Sequence, residues 1–176
     1  MFVNCIANMD KFQTGMTGLS PDVARAISQD LLDRSGQAYL TGDFDAFADC
    51  FAFPHRITIF DGTTIVPDRD ALHDIFVAVR DHFAANRLTD IVRPCIDASF
   101  ADADTVKATH ESRYLSGYRL IQRPAVCLST IRWLDGVWRV ADGQYAIQDA
   151  DCHVRALMRP RQRATSVVPD RDAATD

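Results

Sequence analysis

Apolar residues along the chain follow two different spacings, and the switch between them falls near Leu88. Before it they recur every three or four positions, as on a helix with one buried face; after it they recur every second position, as in a strand. Ser20-Pro21-Asp22 opens the first helical stretch, with Ser20 as N-cap and proline at the first helical position. Val23, Ala26, Ile27, Leu31 and Leu32 supply its apolar stripe, and the period runs to Leu40. Thr41-Gly42-Asp43 ends this helix and caps a shorter one over "FDAFADCF", where Phe44, Phe47, Ala48 and Phe51 share a face. Pro54 is expected to stop that helix, and "HRITIFDG" then alternates as a strand closed by an Asp-Gly turn. A third helix is expected from Asp68 to Asn86, with Leu72, Ile75, Phe76, Val79 and Phe83 on its apolar face.

Beyond Leu88 the alternation predicts strands over 91–100, 104–115, 124–134 and 137–147, with "DAD" and "LDG" as tight turns. Three helices followed by antiparallel strands predict an α+β domain, in which the helices pack on a curved, mostly antiparallel sheet as a cone with a central pocket. The expected organisation is an N-terminal extension over 1–19, this domain over 20–148 and a tail over 149–176, whose "SVVPDRDAATD" has no period.

Parity sorts each strand into two faces. In the strand over 104–115, Val106, Ala108, His110, Ser112 and Tyr114 oppose a polar set that includes Thr109, Glu111 and Arg113. Trp133 marks Cys127, Ser129 and Ile131 as inward in the next strand. Trp138 and Val140 point inward in the last, and strict alternation then carries Asp142 and Gln144 inward too. The first strand puts His55, Ile57, Ile59 and Asp61 on one side. So many polar groups in a dry core would cost about 1–3 kcal/mol for each one left unpaired, whereas a partly wet pocket removes that cost. A bulge at Gly143 is the competing possibility, because it would reverse the parity and turn Asp142 or Gln144 outward.

Composition narrows the function classes. With 47% hydrophobic and 24% charged residues among 176, the chain reads as a globular domain. No run is apolar and long enough to span a bilayer, and "MFVNCIANMDKF" lacks the basic and apolar regions of a leader, so no membrane and a cytoplasmic location are expected. A net charge of −5 argues against nucleic acid. The basic cluster Arg155, Arg159, Arg161 and Arg163 reads as a solvated tail. Cys5, Cys50, Cys95, Cys127 and Cys152 form no C-x-x-C pair and read as reduced thiols. No metal motif, glycine-rich phosphate loop or nucleophile elbow appears, so neither metal nor cofactor is expected.

The layout resembles the nuclear transport factor two (NTF2)-like superfamily, also called cystatin-like or SnoaL-like, over Ala24 to Ile147. Three stretches carry the resemblance: "YLTGDFDAFADCFAFPHRITIFDG", "VPDRDALHDIFVAVRDHF" and the hairpin "STIRWLDGVWRVADGQYAI". The superfamily includes ketosteroid isomerase, scytalone dehydratase, polyketide cyclases and pure dimerisation domains, so the fold does not settle the chemistry. The resemblance places Asp61 near the isomerase's catalytic carboxylate. Ser35 stands near its oxyanion tyrosine, with Tyr39 a turn further on, and Ser129 stands near its second acid. Two of three positions therefore differ. Scytalone dehydratase and the cyclases imply a His and an Asp working together, for which His110 and Asp142 are the candidates.

Two readings follow. In one, the chain is a cofactor-independent lyase, isomerase or cyclase acting on a small apolar carbonyl compound, with His110 as base, Asp142 as its orienting partner and Asp61 or His55 as a second acid–base group. Tyr39, Ser112, Tyr114, Ser129, Ile131, Trp133 and Gln144 would line the ligand site. In the other, it is a non-catalytic dimeric domain that binds a ligand or a protein. Both expect a homodimer through the outer sheet face, where Thr130, Arg132 and Arg139 join Glu111 and Arg113.

Overall fold

The computed structural model describes residues 19–147; the extension up to residue 18, the tail with its arginine cluster, Cys5 and Cys152 lie outside them. Helix α1 spans Pro21–Thr41. The Ser20 side chain accepts from the Val23 N–H at 3.2 Å, and Gly42, at φ 80°, closes the other end through its N–H to the Ala38 carbonyl. A left-handed residue there is what favours glycine. Asp43 caps α2 (Phe44–Ala48), and Asp68 caps α3 (Arg69–Ala85). Leu72, Ile75, Phe76, Val79 and Phe83 form the buried face of α3, as their spacing predicts.

The strands are β1 (Phe51–Ile59), β2 (Gly62–Val66), β3 (Asp90–Val92), β4 (Cys95–Asp102), β5 (Thr105–Ser116), β6 (Arg119–Leu120), β7 (Ala125–Leu134) and β8 (Val137–Tyr145). They make one curved sheet in the order β2-β1-β8-β7-β5-β3, with β4 and β6 also paired to β5. Every pairing is antiparallel except β1 with β8. The architecture is thus the expected α+β one. Asp135 and Gly136, at φ 52° and 81°, form the β7–β8 turn, and two successive positive φ angles suit the right-handed twist of a hairpin.

Two local expectations fail. The second helix ends at Ala48, and β1 begins before Pro54 rather than after it. Pro54 fits because the β1–β8 register shifts between Phe51 and Arg56: at such an irregularity a missing N–H breaks no regular ladder bond. The second strand, β2, has too short a pattern to stand out alone; its register with β1, from His55↔Val66 to Ile59↔Gly62, defines it.

Buried apolar side chains fall into two clusters. The larger gathers Phe47, Phe76 and Phe83 with Ile57, Ile59 and Val79; the smaller joins Ala24 and Leu31 of α1 to Val106, Ala108 and Ile131 of the sheet. A cavity lies over the inner sheet face and is lined from both clusters. Among the described residues no helix is long and apolar enough to cross a membrane.

Candidate functional site

One face of α1, at i, i+3, i+4, i+7 and i+11, brings Ser28, Leu31, Leu32, Ser35 and Tyr39 to the cavity. The strands opposite add His55 from β1, His110, Ser112 and Tyr114 from β5, Ser129 and Ile131 from β7, and Tyr145 from β8. Phenylalanines and aliphatic residues of α2 and α3 close the remaining wall. The cavity is partly open and holds about 70 Å³, room for several water molecules.

Its two histidines differ. His55 is 1% exposed and packs edge-on against Phe51. Its Nδ1 lies 3.2 Å from the Val140 carbonyl, so the proton belongs on Nδ1 and Nε2 is left as the acceptor. His110 is also buried, but its Nδ1 has no hydrogen-bond partner among the described residues. Burial pushes both down to about 4; for His110 the Arg93 charge adds to that, whereas for His55 the Val140 bond and the Asp142 charge oppose it. Both imidazoles are therefore neutral at neutral pH.

Tyr39 and Tyr145 are held protonated by burial, well above the usual phenol range. Burial also pushes the Cys127 thiol up to about 12, which leaves it without the thiolate a nucleophile requires. Cys50, Cys95 and Cys127 are all free and buried. Among the described residues no group of three or more His, Cys, Asp or Glu is placed to hold a metal ion.

Seven of the residues singled out by sequence meet at this cavity: His55, His110, Tyr39, Ser112, Tyr114, Ser129 and Ile131. Four do not. Asp61 is exposed in the β1–β2 turn, because β1 ends at Ile59 and its alternation stops there. Trp133 pairs with Trp138, ring centroids 5.3 Å apart, beyond the end of the cavity. Asp142 and Gln144 lie on the outer face. Ile131 pairs with Val140 but Thr130 pairs with Asp142, so Ala141 is an extra residue and everything after it changes sides. The bulge therefore falls two residues before Gly143. Asp142 meets Arg56 at 3.6 Å on the outer side, leaving His110 without a carboxylate partner.

Gly143 and Tyr145 take the inner positions instead. A Cβ on Gly143 would lie 3.1 Å from Cε2 of Tyr145, so glycine leaves the ring room to lie back along its own strand. Tyr145 was hidden from the sequence by the same bulge that misdirected Asp142.

Arg93 is the other residue the sequence reading missed. It stands in the two-residue link between β3 and β4, just before Pro94, and α1 fixes that link. Gln29 donates to the Arg93 carbonyl at 3.2 Å and accepts from the Cys95 N–H at 2.9 Å, while Arg25 donates to the carbonyls of Cys95 and Ile96. The Arg93 guanidinium donates through Nη2 to the Leu32 carbonyl and, at 2.9 Å, to Ser35 Oγ. Ser35 passes its own proton to the Leu31 carbonyl at 2.6 Å, which frees its oxygen to accept. Gly36 makes the approach possible, since a Cβ there would stand 2.9 Å from Nη2. The available signal was a single arginine in the apolar stretch "DIVRPCI".

No family model matches this chain, and no curated protein does. Solved structures do. A domain of unknown function with a cystatin-like fold from Nostoc punctiforme superposes with a TM-score of 0.58 at 14% identity, over 73% of this chain and 80% of that one. An NTF2-like protein with a cystatin-like fold from Novosphingobium aromaticivorans gives 0.53 at 19% identity, over 78% and 90%. LinA gives 0.52 at 19%, over 70% and 85%. Likeness at these identities establishes the fold: this chain has the NTF2-like, cystatin-like fold.

Proposed function

We propose that this NTF2-like fold binds a small, largely apolar carbonyl compound in its cavity and moves a proton on it without a cofactor, as a lyase, isomerase or cyclase does. The observation that carries the reading is His110. A buried imidazole nitrogen without a partner costs about 1–3 kcal/mol, and the structure retains one beside Ser112 and Tyr114 on a cavity wall. Neutral His110 is the proton acceptor in this reading. Tyr39, held protonated by burial, lines the same cavity and is the proposed donor to a developing oxyanion, with the Tyr114 side chain on the wall beside His110. Asp142 and Asp61 have no part in it, and His55 serves chiefly to fix the β1–β8 seam.

Proton abstraction can be read without knowing the product. In D2O, small apolar ketones, aldehydes and oxo acids are expected to gain deuterium next to the carbonyl in the presence of the protein, followed by proton NMR. His110→Leu should slow this by about 10²–10⁴-fold, the usual contribution of a positioned base. Ligands that raise the melting temperature yet exchange no faster than in buffer would assign the cavity to binding alone.

A second copy of the chain is the proposed partner. Val126 and Leu128 are exposed on the outer face of β7, Leu128 at 51%, next to the Glu111–Arg113 and Arg56–Asp142 pairs, a mixture that suits a self-complementary contact. Sedimentation velocity should give twice the chain mass, and Leu128→Asp should halve it; a monomeric wild type would refute the proposal.

A further inference from the structure

The cavity lining contains one charged side chain, Arg93, and no carboxylate. Arg93 forms none of the ion pairs among the described residues. Asp33 and Asp90 line a groove on its other side, between α1 and β3, and neither pairs with it. Its hydrogen bonds go to two neutral acceptors, both through Nη2. A guanidinium has five N–H donors, so Nη1 and Nε keep theirs for another acceptor. Arg93 is half-buried, between the cavity and the groove, and this fold goes to some length to hold it there: Gln29 clamps its backbone, Ser35 is turned to accept from it, and Gly36 makes room for it.

Resting on the ligand-binding reading above, we infer that Arg93 anchors an anionic oxygen of the ligand, so that the cavity selects small apolar monocarboxylates over neutral compounds of the same shape. The carboxylate sits on the guanidinium, whose planar fork matches it in geometry as well as charge. The apolar part lies toward Leu72, Ile75 and Val79 of α3. A single cation in an otherwise uncharged cavity balances a monoanion; a phosphate or sulfate dianion would need a second. The electrostatics agree, since the Arg93 charge acts on Tyr39, His110, Cys127 and Tyr145 alike. Neutralising Arg93 with an anion removes one of the two causes that depress His110, so binding such a ligand would strengthen the base beside it.

Isothermal titration calorimetry of the full chain with isovalerate and benzoate, against isovaleramide and benzamide, tests this directly. Each acid should bind at least about tenfold more tightly than its amide, the scale of one charge-assisted hydrogen bond. Arg93→Gln should level acid and amide. Gly36→Ala places a methyl against Nη2 while retaining a good helix former, and should weaken the acids without weakening the amides or lowering the melting temperature. Amides that match or exceed the acids in the wild type overturn the inference and leave the ligand-binding reading standing. So does a cavity that takes neutral ketones but neither acid. A cavity that takes none of these compounds overturns both.

Discussion

His55 and His110 are both buried in the inner sheet face, both neutral, and both depressed to about 4. One is tied to the backbone carbonyl of the neighbouring strand; the other has a buried nitrogen with nothing on it. The difference separates two uses of the same residue. His55 closes the seam where β1 runs parallel to β8 across an irregular register, so its bond contributes to the fold. His110 sits mid-strand on β5, in unbroken register with Cys127 of β7 and beside the irregularity between Cys95 and Asp97 of β4, and no strand takes a hydrogen bond from its Nδ1. A polar residue that the fold does not use, placed on a cavity wall, is free to serve a ligand.

The largest effect expected from this comparison is acid instability. Each histidine is neutral when folded and takes up a proton near its ordinary value of 6.5 when unfolded, so between 6.5 and about 4 the unfolded state holds more protons. Stability is therefore full above pH 6.5 and falls as pH drops through that window, by roughly 3 kcal/mol for each histidine. Urea denaturation at pH 7.5 and 4.5 should show the loss. Either histidine replaced by leucine should remove part of this pH dependence, and an unchanged profile in both variants would refute the assignment.

A middling effect is expected of His55→Leu at pH 7.5. It strands the Val140 carbonyl in the interior, which costs about 1–3 kcal/mol, measurable as a lowered denaturation midpoint. The smallest belongs to His110→Leu. Because that change removes an unsatisfied nitrogen and adds apolar surface, stability should move by less than about 1 kcal/mol in either direction. A large loss there would mean that His110 is structural, and would erase the distinction.

What was legible in the sequence follows from local chemistry. Ser20, Asp43 and Asp68 cap helices through their own side chains, and Gly42 ends one by a backbone angle available to glycine. The apolar face of α3 follows from period alone. On β5 burial alternates from Val106 to Tyr114, with an uninterrupted pairing to β7 as far as Ser112 and to β3 at Tyr114, so His110, Ser112 and Tyr114 could be placed inward without a structure. Ser129 and Ile131 on β7 follow similarly from the alternation of that strand, whereas Ser35 and Tyr39 on α1 are reached only through the resemblance to a known superfamily.

Only the tertiary structure decided the rest. Nothing in "VWRVADGQYAI" marks Ala141 as the extra residue, because a bulge is a property of two paired strands and not of one. That one residue exchanged Asp142 and Gln144 for Gly143 and Tyr145, and left His110 without a carboxylate. Arg93 escaped for a related reason. Its place on the cavity depends on Gln29, Ser35 and Gly36, some sixty residues earlier in the chain, and contacts across that separation leave no periodic trace. Period and capping chemistry determine which faces of each element are apolar; register, bulges and long-range hydrogen bonds determine which polar groups finally meet.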